Sequence, residues 1–437
     1  MKKSGLKRMG LRFISVALTI AMLSMFIVAC GQQQEDETIV LQVWNPEDSP
    51  TAIALMNAAI ESFEANNPGV QVEFTTIPWG DIFPRWMTAI ETDTTPDISF
   101  SSAAFALSLY ELGALMPITG IVEDDFFADS AMSLVDIHTT PEGELIGMPF
   151  VHNCVVLWYR ASALEERGLS VPETWDELLY AAEQLTGDGR YGMLVTASRS
   201  HITAQMFYSL MLSNGGTIVD RETGTQNLFG SQANLEALQF YYELSQFTPA
   251  GSLGYTRPDA ESAMATGLID MFIYGSWLGG ALLETAPEVF AEFSVAPVPT
   301  NGGNRGSNMG NMNMVVFSGT EHPELAKAFL LHMLDNEYYI PFVASNPSSY
   351  IPVTRAAQES PDYYNHENVV AFGPLVEVVR QELPYSWVYG TPNPNAGVLE
   401  GLATITYTIT RVLLEGMTPE EALEITAREV GQVLEID

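Results

Sequence analysis

The chain has 437 residues, with 18 Lys and Arg against 54 Asp and Glu and a formal charge of −36. That acidic excess argues against nucleic acid as a partner and against electrostatic attraction to an anionic membrane surface. Apolar residues make up 47% and charged ones 16%, which excludes a disordered chain, and the length exceeds what one core holds, so two lobes are expected. The acidity reads either as the mark of a saline habitat or as an acidic surface without special meaning.

In chain order, the first twelve residues carry Lys2, Lys3, Lys7, Arg8 and Arg12 without an acid, and residues 13–29 form an apolar run ending at Cys30. A basic stretch, an apolar stretch and small residues before a cysteine make a lipoprotein signal of residues 1–29, with Cys30 lipidated and residues 30–37 as a polar tether. An uncleaved membrane anchor is the competing reading. Either places the remainder outside the cytoplasm. Without the signal, 408 residues remain with 13 cations and 54 acids, a formal charge of −41, so attachment to the membrane has to come from the lipid. Only Cys30 and Cys154 are present. No internal disulfide is expected, and Cys154 reads as a small buried hydrophobe.

Residues 38–44 read as a strand, followed by a Pro-containing turn and a helix with Ile53, Met56, Ile60 and Phe63 on one face. Asn67-Pro68-Gly69 stops that helix, and residues 70–77 give a second strand. The unit is β-α-β, which builds a parallel sheet whose ligands meet loops at the carboxyl ends of strands. Trp44, Asn45 and Glu47 therefore stand at a candidate ligand edge. After Pro78-Trp79-Gly80-Asp81-Ile82-Phe83 a helix runs through Ile90. Residues 151–160 lack Gly and Pro and are β-branched and aromatic, which suits a strand buried on both faces. Thr174 and Glu177 form a capping box that opens a helix with Leu178, Ala182 and Leu185 on one face. Residues 192–197 read as a strand, and Arg199 in the loop after it offers a planar fork for a carboxylate or sugar hydroxyls, or is a solvated surface residue. Residues 301–313, rich in Gly and Asn, read as too flexible for an element. Residues 314–317 read as a strand, residues 397–415 as a helix, and Thr418-Pro419 as the start of the last helix. His138 and His152 have no metal-ligating neighbours at the required spacing, so no metal site is expected.

The segment from Gly147-Met148-Pro149 through Leu157-Trp158-Tyr159-Arg160 to Thr174-Trp175-Asp176-Glu177-Leu178 resembles the centre of family 1 extracellular solute-binding proteins, the maltose-binding-type receptors of ABC importers. Gly267, Met271, Ile273 and Gly275-Ser276-Trp277 resemble the family's second-lobe cleft motif, and Thr418-Pro419-Glu420-Glu421-Ala422-Leu423 resembles its closing segment. The likeness runs from Val40 to Leu434. It implies an α/β, two-lobed periplasmic-binding-protein-like fold, each lobe a mostly parallel sheet flanked by helices, with a hinge and an interlobe cleft. Residues 38–150 and 300–352 would form the first lobe, and residues 151–299 and 353–437 the second. Pro149 would lie near the hinge, with His152 and Asn153 at the mouth of the cleft. The resemblance puts Ser101 where many sugar binders carry an aromatic residue, which makes Trp79 a substitute stacking candidate. It also implies Ser276 and Trp277 as second-lobe contacts, Asn311 beside Met309 as a first-lobe contact, and Tyr350 in a second hinge segment. Trp387 and Tyr389 are further second-lobe candidates.

No G-x-S-x-G, H-E-x-x-H, C-x-x-C or phosphate-cradling motif occurs. The expectation is a monomeric binding protein without cofactor, which captures a small polar ligand by lobe closure. By resemblance it hands that ligand to a membrane permease with a cytoplasmic ATPase. A sugar or oligosaccharide is favoured, because aromatic residues recur at candidate cleft positions while basic residues are nearly absent there. A polyamine or other small polar solute is the alternative ligand. A surface carbohydrate-degrading enzyme is the alternative function, since two of the many carboxylates could converge.

Overall fold

The computed structural model describes residues 38–123, 125–140 and 142–436. Cys30, the expected lipidation site, and the expected signal segment and tether lie outside these residues. Among the described residues nine strands form: β1 (Ile39–Asn45), β2 (Val70–Thr76), β3 (Ile98–Ser101), β4 (Met148–Arg160), β5 (Met271–Gly275), β6 (Phe293–Ala296), β7 (Ser307–Val316), β8 (Ile351–Pro352) and β9 (Ser386–Trp387). The sheet order is β2-β1-β3-β7-β4-β5, with β6 and β8 also pairing β4 and β9 pairing β7. β1 runs parallel to β2 and β3, as the β-α-β pattern requires.

The long strand β4 organises the rest. Of its thirteen residues only Tyr159 is not fully buried, because a run of Val, Leu, Trp and Phe without Gly gains by burying both faces. At about 3.3 Å per residue it extends roughly 40 Å, enough to serve two cores. Met148–Cys154 pairs with β7, and Val155–Tyr159 pairs with β5. The apolar residues divide accordingly. One cluster gathers Leu41, Phe63, Phe100, Phe150 and Phe329, and another gathers Leu157, Trp158, Phe207, Tyr241 and Phe272. The architecture is thus mixed α/β with two cores joined by β4 and β7. Farther along, Ala357, Tyr363 and Val369 pack into the first cluster, whereas Phe372, Leu375, Val376 and Val379 pack into the second.

Local sequence signals hold where the backbone is self-sufficient. Helix Trp175–Leu185 starts with the expected capping box, the Glu177 amide donating to Thr174 Oγ1 at 3.3 Å and the Thr174 amide to Glu177 Oε2 at 3.1 Å. The Glu173 amide, donating to the same Oε2 at 2.9 Å, and the Thr174 amide hold the Glu177 carboxyl below the usual range. Its Leu178, Ala182 and Leu185 are buried.

Three segments differ from expectation. Residues 307–313, part of the stretch expected to be irregular, belong to β7, because Ser307 and Asn308 pair with β9, Met309 to Asn313 pair with β4, and Asn313 also pairs with β3. Residues 192–197 form no regular strand. Leu194 donates to Met271 at 2.9 Å, but Met193 and Ala197 donate to Phe247 and Leu253 in an irregular segment on the other side. The single helix expected over residues 397–415 is split into Ala396–Gly401 and Thr406–Leu413, with Ala403 between them at φ 50°. There Gly397 lies against Ala104 and Phe105, and Gly401 against the Phe83 ring, at distances that leave no room for a Cβ. The first helix is seated on the other core and the chain has to turn to continue.

Candidate functional site

Where β4 and β7 pass from one core to the other, Asn153 faces Gly310 and His152 faces Asn311. Gly310 is required here, because a Cβ would collide with Asn153 Oδ1 and touch the Trp277 ring. Gly275 is covered by the same indole. Trp277 stands at the start of helix Leu278–Thr285, half-buried, with its ring edge-on to Tyr274 at 5.2 Å. Asn153 Nδ2 donates to the Ser349 carbonyl at 2.8 Å. Asn153 Oδ1 and Trp277 Nε1 have no hydrogen-bond partner among the described residues. An apolar indole face, a bare glycine backbone and two unpaired polar atoms thus meet at the seam.

A second group surrounds Arg257, on helix Arg257–Ala265. Its Nε donates to Glu261 Oε1 at 2.9 Å, and the Tyr274 hydroxyl donates to the same oxygen at 2.9 Å. Burial works against the Arg257 charge, but Tyr274, Glu261 and Asp48 more than offset it, holding its pKa above the ordinary value. Across the seam, the Tyr350 hydroxyl donates to Glu47 Oε2 at 2.6 Å, while Glu47 Oε1 accepts from the Asp48 and Ser49 amides. Burial and the Glu47 charge push the Tyr350 pKa well up. Tyr350 stacks on Phe342 at 4.6 Å.

A third group lies around Glu400, on helix Ala396–Gly401. Its Oε1 is 3.8 Å from His201 Nδ1, and the two side chains keep 20% and 33% of their surface. Burial raises the Glu400 pKa to about 7, opposed in part by the Ser102 hydroxyl. Burial and the charge of Arg257 lower that of His201.

The other expected site residues are distributed as follows. Asn45, Ser101, His152 and Ser276 have no accessible surface. Asn45 and Glu47 exchange backbone and side-chain bonds that shape the turn after β1, and Ser276 Oγ donates to the Ser348 carbonyl. Burial and the nearby Arg380 lower the His152 pKa to about 3, so it is neutral at ordinary pH. Trp44 packs in a small cluster with Phe83 and Trp86, and Trp79 borders it half-exposed. Asn311 Oδ1 accepts from the Ala103 amide at 2.7 Å. Arg199 is exposed and lies over the Tyr407 ring at 4.1 Å. Trp387 Nε1 donates to the Thr391 carbonyl at 3.1 Å under the Arg221 guanidinium, and Tyr389 is buried edge-on to Tyr208. A separate polar cavity of about 760 Å³, lined by Asp220, Arg221, Gln226 and Arg305 among others, includes none of these residues.

Sequence reading missed Arg257, Glu261, His201 and Glu400, and its view that cations are nearly absent from the seam is corrected by Arg257. The signal available was local. Thr256 and Asp259 form a capping box that fixes the start of the Arg257 helix, but nothing in the spacing says what faces it.

Residues 45–340 match the model of the bacterial extracellular solute-binding protein family. The chain belongs to this family. A putative binding protein of Brucella abortus (strain 2308) is 23% identical over 73% of this chain and 77% of its own length. The lactose-binding protein of Rhizobium radiobacter is 22% identical over 75% and 77%. Among solved structures, an ABC transporter solute-binding protein from Thermotoga lettingae TMO bound with alpha-D-tagatose superposes with a TM-score of 0.77 at 23% identity, over 91% of this chain and 100% of that one. The solute-binding chain thus shares its two-lobed fold with such receptors, and its family is one of binding proteins. Among the described residues no group of His, Cys, Asp and Glu is placed to hold a metal ion.

Proposed function

We propose that this solute-binding protein captures a sugar or short oligosaccharide between its two lobes and delivers it to an ABC importer made of a membrane permease and a cytoplasmic ATPase. The observation that carries the reading is the half-buried Trp277 indole lying over Gly275 and Gly310 at the crossing of β4 and β7. A rigid aromatic face packs against the C–H face of a sugar ring, and the unpaired Asn153 Oδ1 beside it is available to a hydroxyl. The sugars named for the relatives support the same class. Trp277, Asn153 and Tyr274 form the contacting set in this reading, while Asn45, Ser101, His152, Ser276, Asn311 and Tyr350 shape and brace the walls.

We place the first lobe's end near Val151, its return near Met309 and its exit at residues 370–373, rather than at residues 150, 300 and 352, because Ala357, Tyr363 and Val369 pack into the first cluster, to which Val388 and Ala396 return. Ligand that touches both lobes stabilises the closed arrangement by differential affinity. The protein works as a monomer outside the cytoplasm, tethered by a lipid on Cys30, and performs no chemistry. Calorimetry and thermal-shift measurements on the detergent-solubilised full chain, against mono- to tetrasaccharides, polyamines and amino acids, test this. A saccharide that binds and raises the melting temperature is expected. Binding of a polyamine or amino acid with no response to any saccharide overturns the sugar assignment.

A further inference from the structure

Beyond Trp277, the seam holds a wall of polar groups that no packing requirement explains. Helix His201–Ser213 presents His201, Gln205 and Ser209 at four-residue spacing, so the three lie on one face. Ser209 Oγ accepts from the Asn308 amide at 3.0 Å, which sets β7 against that face. Tyr389 packs edge-on against Tyr208 of the same helix, 5.4 Å between centroids, and is close enough to Glu400 for the carboxylate charge to act on it. Gln205 Oε1, Asn308 Oδ1 and the Tyr389 hydroxyl are all buried without a hydrogen-bond partner among the described residues. Tyr389 and Asn308 retain only 4% of their surface each. Unpaired buried polar atoms are costly and persist where something else satisfies them.

We propose that Glu400 is the specificity-determining carboxylate of the cleft, accepting hydrogen bonds from two adjacent hydroxyl groups of the ligand, with Gln205, Asn308 and Tyr389 completing the wall. This rests on the sugar reading above and adds to it which residues recognise the hydroxyl pattern. The chemistry of the wall selects the class. Its unpaired atoms are mainly acceptors, so the ligand supplies donors. An anionic ligand is excluded by the carboxylate. A cationic one is opposed by Arg257, whose charge already reaches His201. Neutral vicinal hydroxyls fit both constraints. The position is also suited to sensing closure, because Glu400 is bounded by Ser102 from the first core and by His201 and Tyr389 from the second, and the Arg257 charge acts on His201.

A carboxylate whose proton is retained near pH 7 in the unliganded protein gives that proton up when two hydroxyls bind its charged form. Binding at pH 7 therefore releases protons and weakens as the pH falls from 8 to 6.

The test is calorimetry on the full chain in detergent, titrating lactose, maltose, laminaribiose and D-tagatose in buffers of different ionisation enthalpy. For whichever of these sugars binds, proton release at pH 7 is expected, disappearing in Glu400→Gln together with an affinity loss of about tenfold or more, the scale of losing a charge-assisted hydrogen bond. Tyr389→Phe is expected to weaken binding while leaving the proton count unchanged. A sugar that binds with no proton exchange, or equally well to Glu400→Gln, overturns the proposal and leaves the sugar reading standing. No response to any of the four, with binding of spermidine instead, overturns both. The proton count is taken on the unaltered chain, so a variant that fails to fold does not remove the decisive reading.

Discussion

Trp277 and Glu400 make opposite demands on the protein that carries them. Trp277 is half-buried against glycine backbone and an aromatic edge, so its exposed face gains on contact with an apolar surface. Trp277→Ala is expected to cost about 2 kcal/mol or more of ligand affinity, roughly thirtyfold, measured by calorimetry. The change in unfolding temperature without ligand should be small by comparison. Glu400 is held in a site that disfavours its charge. Its folded pKa of about 7 lies above the roughly 4.3 of an unfolded glutamate. Over that window the folded state binds more protons than the unfolded one, so this group's contribution to stability falls as pH rises. His138 and His152 act in the other direction. Burial lowers them to about 4 and about 3, below the unfolded value of roughly 6.5, so their contribution falls as pH drops through that interval. The comparison that isolates Glu400 is therefore between variant and wild type. Glu400→Gln, unliganded, should gain melting temperature relative to wild type from pH 5 to pH 8, and an unchanged difference across that range would remove the assigned burial effect. Trp277 was legible as a residue because a glycine-serine-tryptophan sequence at a strand end resembles a family motif. Glu400, His201 and Arg257 were not, because each sits on a helix whose own pattern shows only one surface, and what opposes that surface is set by chain segments about 55 to 300 residues away.

At the level of elements, two substitutions separate local folding from assembly of the site. Thr174→Ala removes a side-chain cap and its reciprocal bonds, a loss of about 1 kcal/mol in unfolding free energy. The cap is bonded to Glu173, Glu177 and Thr300, none of them among the candidate ligand contacts, so ligand affinity should not change. Gly310→Ala places a Cβ against Asn153 and the Trp277 ring. It should destabilise by about 1–3 kcal/mol, the range for overpacking, and weaken ligand binding as well, because the indole is displaced. Calorimetry and denaturant unfolding on both variants check the contrast. The same two sites show how far sequence reaches. The Thr174 cap and the β1–β2 crossover were readable since every group that makes them lies within a short window. β7 was unreadable because Gly310, Asn311 and Asn313 have poor strand preference, and the pairing with β3 and β4 overrides it. The break at Ala403 was missed for the complementary reason. Its residues suit a continuous helix, and the turn follows from seating Gly397 and Gly401 on the other core.

At the scale of the whole molecule, charge and topology act on the same motion. The cores are linked by β4, by β7 and by the segment near residue 372, and helix Ala396–Gly401 also packs across them; closure in the function proposed above is rotation about these links. The acids greatly outnumber the cations, and many of the ion pairs involve exposed side chains, such as Arg428 with Glu424 and Arg355 with Asp129; exposed pairs contribute little. What remains is mutual repulsion, which opposes bringing two acidic lobes together. Tyr350 works against it from one side by tying the Glu47 turn to the chain just before β8, which pairs with β4 at Val151 and His152. Added salt screens the repulsion, with a screening length that drops from about 10 Å at 0.1 M to about 3 Å at 1 M. Raising sodium chloride across that range should therefore increase both the melting temperature and the fraction closed without ligand, seen as a smaller radius of gyration in X-ray scattering. Tyr350→Phe should respond more steeply to salt than wild type, because Glu47 Oε2 loses its bond to the Tyr350 hydroxyl while Oε1 keeps those to the Asp48 and Ser49 amides. A melting temperature that falls with salt in wild type would show that attractive pairs, not repulsion, dominate the field, and that the acidic surface does not resist closure.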